Sequence, residues 1–442
     1  MILKIVCHGN LYLVQIFERT KYVLDFIQNH PLAEGKISFV FSETSQFDAT
    51  ITYGIGENSN SALIRIPQGD LYQSIDAQNL PCFANSYTYN GHDLYDVAYQ
   101  KKNAAPFINA GTLSFDIIQT IFFHISRIEE VVCPVDKKDI HGRMYSHEQF
   151  LVKNGLHHIP VVDHLVFCFL EVLGVQPSSP KTVFRLTSDI DMVRKYLAVP
   201  PFRSTYKYVF EKPSRKSLFK LWRSYIKTKM RKQKDPYNNF EWLFSCGKEV
   251  EKVVYFLVGG RSKYDKPFAK INKSFVEIVN IAIKKGWEIG IHPSYTTVND
   301  GKLLKKEKEL LEEICGIEIN QSRQHFLRFS IPETAALMDE MGMKEDSSLG
   351  YPDRIGFRCA TGFPYHLYNF EEEAPYQFIE VPLVVMDVGL LREGDNNNEK
   401  VLRIWEDFLA INSHRTQITF NFHNSIFFDT ELDGINMYKF YK

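Results

Sequence analysis

Two aspartates stand at the end of a hydrophobic run in the stretch VFRLTSDIDM, residues 183–192. The apolar residues at its start suit a buried strand, and Asp189 and Asp191 come two positions apart after it. Side chains two residues apart on an extended segment point in the same direction. A single aspartate after a strand often caps the next helix, whereas such a pair can hold a metal ion and also take up a proton.

Further reactive side chains lie in or next to later apolar runs. They are His292 in EIGIHPSYT, Arg323 and His325 in SRQHFLR, Arg358 in GFRCATGFPY, Asp387 in PLVVMD and His423 in ITFNFHNS. Any one of these residues, taken alone, usually makes a structural hydrogen bond or ion pair. Because the working residues of a (β/α) fold collect at the carboxyl ends of its strands, the set as a whole predicts one site.

The residue types in this set indicate a particular chemistry. Carboxylate oxygen and imidazole nitrogen are ligands of catalytic divalent metals, and zinc is the ion that we expect. Such an ion lowers the pKa of water and polarises a carbonyl group. A second carboxylate can accept a proton, and a histidine can protonate the leaving group. The set therefore predicts metal-assisted hydrolysis of an amide or an ester.

The elements that must position these residues are apolar runs separated by polar or helical segments. The runs span residues 183–187, 253–259, 288–292, 325–330, 355–358, 378–388 and 418–423. Apolar strands that alternate with helices are typical of a parallel sheet, and seven of them favour a (β/α) barrel. We therefore expect an α/β fold with a barrel in the second part of the chain.

The first part of the chain has a different pattern. Short strand-like runs and two long helical stretches, from Leu113 onward and at 161–174, predict a smaller mixed α/β domain. The segment QPSSPK, residues 176–181, is typical of a linker. We therefore expect two domains, at 1–175 and 180–442.

A basic segment at about 203–234 interrupts the second domain. It carries twelve lysines and arginines and one acid, with aromatic residues between them. A solvated amphipathic insertion is one interpretation of this pattern. The alternative is contact with an anionic polymer, a lipid headgroup or a membrane surface.

Composition limits the class of protein. The chain has 442 residues, of which 44% are hydrophobic, and its net charge of −1 argues neither for nor against a nucleic-acid or acidic partner. The sequence contains no nucleic-acid-binding module, so we expect no nucleic-acid partner. Its seven cysteines are scattered without a CxxC pair, which is typical of reduced thiols.

We find no signal peptide and no run of about 18 apolar residues. We expect a cytoplasmic protein, membrane-associated if the basic segment binds lipid, and leave the oligomeric state open.

The ordered motifs resemble those of the polysaccharide deacetylases, the NodB-homology family also called carbohydrate esterase family 4. TSDID resembles the first motif, GIHPSY the second, GFRCATGFPY the third and ITFNFHNS the last, over roughly residues 180–430. FFHISRIEE and DKKDIHGRM, in the first part of the chain, resemble an uncharacterised domain found ahead of such catalytic domains. The resemblance implies a distorted (β/α) barrel that binds zinc or another divalent metal.

The resemblance also implies a role for individual residues. Asp189 would be the general base, Asp191 and His292 metal ligands, Arg358 the residue that orients the base, and His423 the general acid. Asp387, by analogy with a carboxylate motif that tunes the acid, would pair with His423. We expect Ser294, Tyr295 and Arg323 to contact the substrate.

The second motif departs from the family pattern. The usual H-x-x-x-H supplies two metal ligands, but Thr296 occupies the position of the second histidine. We expect His325 to supply the missing ligand, with a structural role for this histidine as the alternative. The departure leaves the activity open until a third ligand is identified.

These observations predict a metal-dependent deacetylase that hydrolyses N-acetyl or O-acyl groups on a saccharide or glycan precursor. Two alternatives remain from the sequence. One is a hydrolase of a non-sugar amide on the same fold, and the other is a degenerate barrel that binds glycan without turnover.

Overall fold

The computed structural model describes a mixed α/β protein over residues 1–7, 14–41, 49–53, 64–69, 76, 79–196, 201, 205–206, 209, 215–245, 250–265 and 273–425. These residues form two compact units. The first unit combines Met1–Arg185 with Phe326–Phe420, and the second combines Leu186–His325 with the chain from Asn421 onward.

The two units are not the successive domains 1–175 and 180–442 that the sequence predicts. In the first unit, residues from the last third of the chain bond to the N-terminal residues. The Tyr22 hydroxyl donates to the His366 carbonyl at 2.7 Å, and Arg19 pairs with Glu373 at 2.8 Å. The predicted linker also bonds within this unit, since the Ser178 N–H donates to the Leu32 carbonyl at 2.8 Å.

The first unit contains most of the short strands. Its strands are Ile2–Cys7, Ser38–Val40, Ala49–Tyr53, Ile64–Ile66, Ser86–Tyr89, His92–Tyr95, Ala105–Pro106, Ile108–Asn109, Thr112–Leu113, Glu345–Asp346, Tyr365–Asn369, Ala374–Glu380 and Val385–Met386. Its α-helices are Val14–Asn29, Ile117–Ile125, Ile128–Val131, Phe150–Lys153, Val161–Val172, Glu333–Glu340, Asp387–Glu393 and Asn398–Ile411. Two 3-10 turns, Val135–Lys137 and Ser146–Glu148, complete it.

Six of these strands form one sheet. Their order is Ser38–Val40, Ile2–Cys7, Ala49–Tyr53, Ile64–Ile66, Thr112–Leu113 and Ile108–Asn109. The first five pair in parallel, and the last pair is antiparallel. Three later strands of this unit are also neighbours in a sheet. Their order is Tyr365–Asn369, Ala374–Glu380 and Glu345–Asp346. The mixed α/β character predicted for residues 1–175 is therefore confirmed.

The predicted helical stretch after Leu113 forms two helices in place of one. Ile117–Ile125 begins at Asp116, whose side chain accepts the Gln119 N–H and caps the first turn. It ends before Arg127, whose φ of +56° is incompatible with a continuing α-helix. Every residue of Ile117–Ile125 is buried, in agreement with its apolar sequence.

The second unit is built from strands and connecting helices. Its strands lie in the order Gln321–Ser322, Glu288–Ile291, Glu251–Phe256, Val183–Ile190 and Gln417–Asn421, and the last two begin in the first unit. The first three pair in parallel. Its helices are Arg215–Lys229, Phe240–Leu243, Lys273–Lys284 and Gly301–Cys315, with a 3-10 turn at Thr297–Asn299.

The strand Val183–Ile190 is buried continuously from Arg185 to its end. Such an unbroken buried run is typical of a strand covered on both faces. The helix Gly301–Cys315 begins at Asp300, which accepts the Leu303 N–H, and ends at Gly316, whose φ of +69° suits glycine. The strand therefore confirms the apolar run predicted at 183–187, and the helix Gly301–Cys315 lies between two of the predicted runs.

Two predicted strands are wrong. Residues 325–330 begin with the 3-10 turn His325–Leu327, where Phe326 and Leu327 have φ values of +64° and +50°. A strand requires negative φ, so this backbone cannot continue as one. Residues 355–358 form no helix or strand.

The basic segment contains the helix Arg215–Lys229, and residues 202–204, 207–208 and 210–214 lie outside the described part. Leu221 is buried on one side of the helix. Phe219, Ile226 and Met230 are 70%, 49% and 57% exposed. Because these three positions follow each other at intervals of seven and four residues, they lie on one face.

Among the described residues, no helix combines the length and the apolar character needed to cross a membrane.

Two arginines are completely buried among carboxylates in the first unit. Arg358 donates from Nε to Glu130 at 2.9 Å and from NH1 to the Gly350 carbonyl at 2.9 Å, and its NH2 also contacts Glu130. Arg127 pairs with Glu130 at 2.6 Å and with Glu129 at 2.9 Å. Burial opposes ionisation of Glu130, but the two guanidinium groups outweigh it and lower its pKa to about 2.

The substitution Glu130→Gln tests whether this pairing stabilises the first unit. Removal of the shared carboxylate leaves Arg358 buried without a counter-charge, so we expect the free energy of unfolding to fall by about 3–5 kcal/mol. Urea denaturation measures this value. The control Glu148→Gln removes a more exposed partner of Lys153 and should change stability by less than about 1 kcal/mol. Equal effects of the two substitutions would contradict the interpretation.

Candidate active site

The reactive residues of the second unit collect at the ends of its strands. Asp191 directly follows Val183–Ile190, and His292 directly follows Glu288–Ile291. Arg323 follows Gln321–Ser322, and His423 comes two residues after Gln417–Asn421. Since parallel strands in such folds present their carboxyl ends at one edge, these side chains are brought together.

Asp189 is buried at the centre of the cluster. Its Oδ1 accepts from Arg323 NH1 at 3.1 Å, and its Oδ2 accepts from Asn421 Nδ2 at 2.8 Å. The same Oδ2 lies 3.9 Å from Nε2 of both His292 and His423. One oxygen is therefore held by the arginine, while the other faces the two histidines.

The surroundings of Asp189 keep it ionised. Burial opposes the charge, but Arg323, His292 and His423 outweigh burial and the nearby Asp191, so the pKa of Asp189 lies below its ordinary value. The guanidinium of Arg323 is itself fixed, because NH1 donates to Thr187 Oγ1 at 2.7 Å. A carboxylate that is ionised and rigidly held can act as a proton acceptor in this position.

His292 presents one particular nitrogen to the cluster. Its Nδ1 lies 2.5 Å from the carbonyl oxygen of Arg323, which can only accept, so Nδ1 carries the proton. Its Nε2 lies 3.6 Å from Asp191 Oδ1. Burial is the main cause that lowers the pKa of His292 to about 4, so the ring is neutral at pH 7.

His325 is held in the same manner by a residue that the sequence analysis does not single out. Its Nδ1 lies 3.1 Å from Asp265 Oδ1, and its Nε2 lies 3.8 Å from Asp191 Oδ1. Asp265 is buried and also accepts the Tyr295 N–H at 2.8 Å. A carboxylate behind a histidine fixes the ring and raises the basicity of its outer nitrogen.

Asp191, His292 and His325 form a group that could hold a metal ion. One potential ligand atom of each lies within 4.8 Å of the others. Because Nδ1 of both rings is hydrogen-bonded, the Nε2 atoms are the ones that face Asp191. Two imidazole nitrogens and a carboxylate oxygen are a ligand set of catalytic zinc. The residues therefore fit the divalent ion that the sequence predicts, and His325 lies where the third ligand is required.

The residues after His292 are held by hydrogen bonds and ring contacts of their own. Ser294 is fully buried, and both its N–H and its hydroxyl donate to Glu307, at 2.9 and 2.6 Å. Ser294 is thus engaged with Glu307, and its contact with a substrate stays a prediction. Tyr295 is half-buried, and its ring lies 4.2 Å from that of Tyr264. Thr296, which occupies the position of the usual second histidine, is exposed.

Arg358 and Asp387 belong to the first unit. The guanidinium of Arg358 bonds to Glu130 and Gly350, whereas the arginine that pairs with Asp189 is Arg323. Arg323, which we expected to bind substrate, is thus the residue that holds Asp189 in the structure. The role implied for Arg358 stays a prediction. Asp387 is buried in the first turn of the helix Asp387–Glu393 and accepts the Val388 N–H at 2.6 Å. Its pairing with His423 stays a prediction.

Asn421 is the second residue that the sequence analysis missed. It precedes His423 by two positions, so an extended segment places both side chains on one face. This spacing is the same signal that singled out Asp189 and Asp191, and it could have identified Asn421. For Asp265 no such signal exists, because it lies in a turn outside any strand or motif.

Comparison with known proteins gives a family match for the first part of the chain and a similar solved structure. Residues 10–176 match a family described as of unknown function (DUF7033). Among solved structures, the chain is similar to a proposed polysaccharide deacetylase from Mycobacterium smegmatis, with 15% identity and a TM-score of 0.32. That match covers 56% of this chain and 79% of the other. No curated protein matches the chain.

The state of His292 can be tested by NMR on the metal-free protein. We expect a neutral ring with its proton on Nδ1 at pH 7 and a titration midpoint near pH 4. The unfolded chain takes up this proton near pH 6.5. The free energy of unfolding should therefore decrease as the pH falls from about 6.5 to about 4. In urea the same ring should titrate near its ordinary value, and an Nε2-protonated or charged ring in the folded protein at pH 6 would contradict the geometry.

Proposed function

We propose that the chain is a metal-dependent hydrolase that removes acyl groups, above all N-acetyl groups, from a saccharide, on a (β/α) barrel of the NodB-homology type. The observation that carries the proposal is the convergence of Asp191, His292 and His325 beside the ionised Asp189. A ligand group next to a proton acceptor is the minimum that metal-assisted hydrolysis requires. The motif order along the sequence adds the saccharide class of substrate.

Asp191, His292 and His325 would hold the ion. When bound, a zinc-class ion polarises the acyl carbonyl and makes water more acidic. Arg323 keeps Asp189 in position through NH1, and its carbonyl oxygen keeps the Nδ1 proton on His292. Asp265 does the same for His325. These two hydrogen bonds keep the Nε2 atoms of His292 and His325 directed toward Asp191.

The proton steps follow from the same geometry. Asp189 accepts a proton at Oδ2, the oxygen that faces His292 and His423, when water attacks the acyl carbon. His423, on the partly exposed side of the cluster, donates a proton from Nε2 to the departing amine. The amide bond breaks, a carboxylic acid and an amine form, and the two residues exchange their protons with water before the next turnover.

Tyr264 and Tyr295 offer a surface for the sugar. Their half-buried rings lie 4.2 Å apart at an angle of 31°. The Tyr295 N–H donates to Asp265, which also holds His325. The aromatic pair is thus tied to the same network as the ligand group. We propose that it packs against the apolar face of a sugar ring, which is a common function of aromatic residues in ligand pockets.

Acetate release from a panel of N-acetylated mono- and oligosaccharides, with and without added zinc, tests the proposal. The parent protein should release acetate only with metal. Asp189→Asn should retain metal but lose about 10²–10⁴-fold in kcat, the usual contribution of general base catalysis. Asp191→Asn should lose the metal ion held with His292 and His325, and with it the activity, whereas the control Asp300→Asn, in an exposed helix cap, should retain both.

Two other outcomes would favour the alternatives. A parent protein that binds metal and glycan without turnover favours a glycan-binding barrel. A protein that hydrolyses other amides but none of the sugars favours a non-sugar substrate. Full activity of Asp189→Asn would contradict the proposed mechanism.

We also propose that the basic helix Arg215–Lys229 binds the surface of an anionic membrane. Residues 215–234 contain nine lysines and arginines and no acid. The exposed face with Phe219, Ile226 and Met230 can enter the headgroup region, while the flanking cations pair with anionic lipid. This arrangement would bring the enzyme to a lipid-linked saccharide.

Sedimentation with vesicles tests this contact. The protein should bind phosphatidylcholine vesicles that contain phosphatidylserine, and not those of phosphatidylcholine alone. Arg223→Glu with Lys227→Glu should weaken binding at least tenfold, since each basic residue contributes about 1 kcal/mol near such a surface. The control Lys305→Glu changes an exposed lysine of the helix Gly301–Cys315 and should bind as the parent does. Binding that survives the double reversal would refute the proposal.

A further inference from the structure

A second group of potential ligands lies in the first unit, apart from the residues of the proposed active site. It consists of His157, His158 and Glu393, one ligand atom of each lying within 4.8 Å of the others. The two histidines precede the helix Val161–Val172, and Glu393 is the last residue of the helix Asp387–Glu393. The sequence analysis assigns no function to any of the three.

The backbone holds both histidines in place. The His157 carbonyl accepts the Phe357 N–H at 2.8 Å, and the His158 carbonyl accepts from Asn412 Nδ2 at 3.0 Å. Gly356 packs so closely against His157 that a Cβ at this position would come within 2.3 Å of the His157 carbonyl oxygen. The two rings therefore start from a fixed backbone, and only side-chain rotation remains to be restricted.

Glu393 is oriented toward the rings. Its Oε2 accepts the Ile355 N–H at 2.9 Å, which leaves Oε1 directed at the histidines. Oε1 lies 3.0 Å from His158 Nε2 and 3.9 Å from His157 Nε2. These separations suit two ligand atoms that share an ion at about 2.0–2.2 Å from each.

An imidazole nitrogen in this group contacts the carboxylate without well-formed hydrogen-bond geometry. His158 Nε2 is buried and lies 3.0 Å from Glu393 Oε1, but it is not oriented for a directed hydrogen bond. A buried polar atom without a partner costs free energy, so an observed one requires a physical explanation. A metal ion between the ring and the carboxylate would satisfy both groups.

The group is also accessible. The side chains of His157, His158 and Glu393 are 15%, 28% and 20% exposed. An ion can therefore enter, and water can complete its coordination. Two imidazoles with one carboxylate suit zinc and related transition-metal ions better than calcium or magnesium, which prefer oxygen ligands only.

We propose that His157, His158 and Glu393 form a second divalent transition-metal site, of the zinc class, that ties the turn before Val161 to the end of the helix Asp387–Glu393. This site is structural, because its three side chains join two segments of the first unit to each other. It does not depend on the proposed function, since it shares no residue with the group at Asp191.

Zinc titration of the metal-free full-length protein by calorimetry tests this site. With both sites present the parent should bind two equivalents. His158→Gln and Glu393→Gln should each bind one, with an affinity loss of at least 100-fold at the second site. Asp191→Asn should also bind one, and the double variant Asp191→Asn with His158→Gln should bind none. The control His147→Gln removes an exposed histidine outside the group and should bind as the parent does.

Thermal unfolding provides a second measurement with the same variants. Zinc should raise the Tm of Asp191→Asn, in which only the second site remains, and this rise should disappear when Glu393→Gln is added.

If the unaltered protein binds one equivalent and Asp191→Asn still binds one, the proposed active site fails and the second site stands. If His158→Gln and Glu393→Gln bind as much zinc as the parent, the second site is refuted. Should these variants not fold, anomalous diffraction at the zinc edge of the unaltered protein decides: a peak between the three side chains supports the site, and its absence refutes it.

Discussion

The ion pair between Asp189 and Arg323 is the interaction on which the arrangement of the candidate active site depends. Arg323 bonds to Asp189 and Thr187 with its side chain and to His292 with its carbonyl oxygen. Its N–H donates to the Ile291 carbonyl, which joins two parallel strands. Loss of the guanidinium would leave a buried carboxylate without its counter-charge. A single residue thus links the strand edge, the buried carboxylate of Asp189 and one potential metal ligand.

The remaining side chains follow from that constraint. With Nδ1 of His292 held by Arg323 and Nδ1 of His325 held by Asp265, both outer nitrogens are directed toward Asp191. The absence of a histidine at position 296 is then no obstacle to a three-residue ligand group. His325 comes from a different strand end and lies close enough to Asp191 to be the third member of such a group, to which the exposed Thr296 does not belong.

Sequence patterns identify most of the clustered residues because strand ends are visible in a sequence. Asp189, Asp191, His292 and His423 follow apolar runs, and parallel strands bring such positions to one edge. His325 was also singled out, although the strand predicted to start there is a 3-10 turn. Its place in the cluster depends on the neighbouring short strand Gln321–Ser322.

The roles of the arginines could not be predicted in the same way. Arg358 pairs with Glu130, which lies 228 positions earlier in the chain, and no local pattern indicates such a partner. The composition of the two units could not be predicted for the same reason. Each unit combines segments that are far apart in the sequence, and long-range contacts decide which segments pack together. Asp265 lies in a turn without regular structure, so neither periodicity nor spacing indicates its bond to His325.

A crystal structure of the protein grown with zinc, with anomalous data collected at the zinc edge, tests the central claim most directly. The account predicts an anomalous peak about 2.0–2.2 Å from a carboxylate oxygen of Asp191 and from Nε2 of both His292 and His325, with Asp189 beside it and paired with Arg323. Zinc-loaded crystals without a peak there, or with His325 turned away from Asp191, would contradict it.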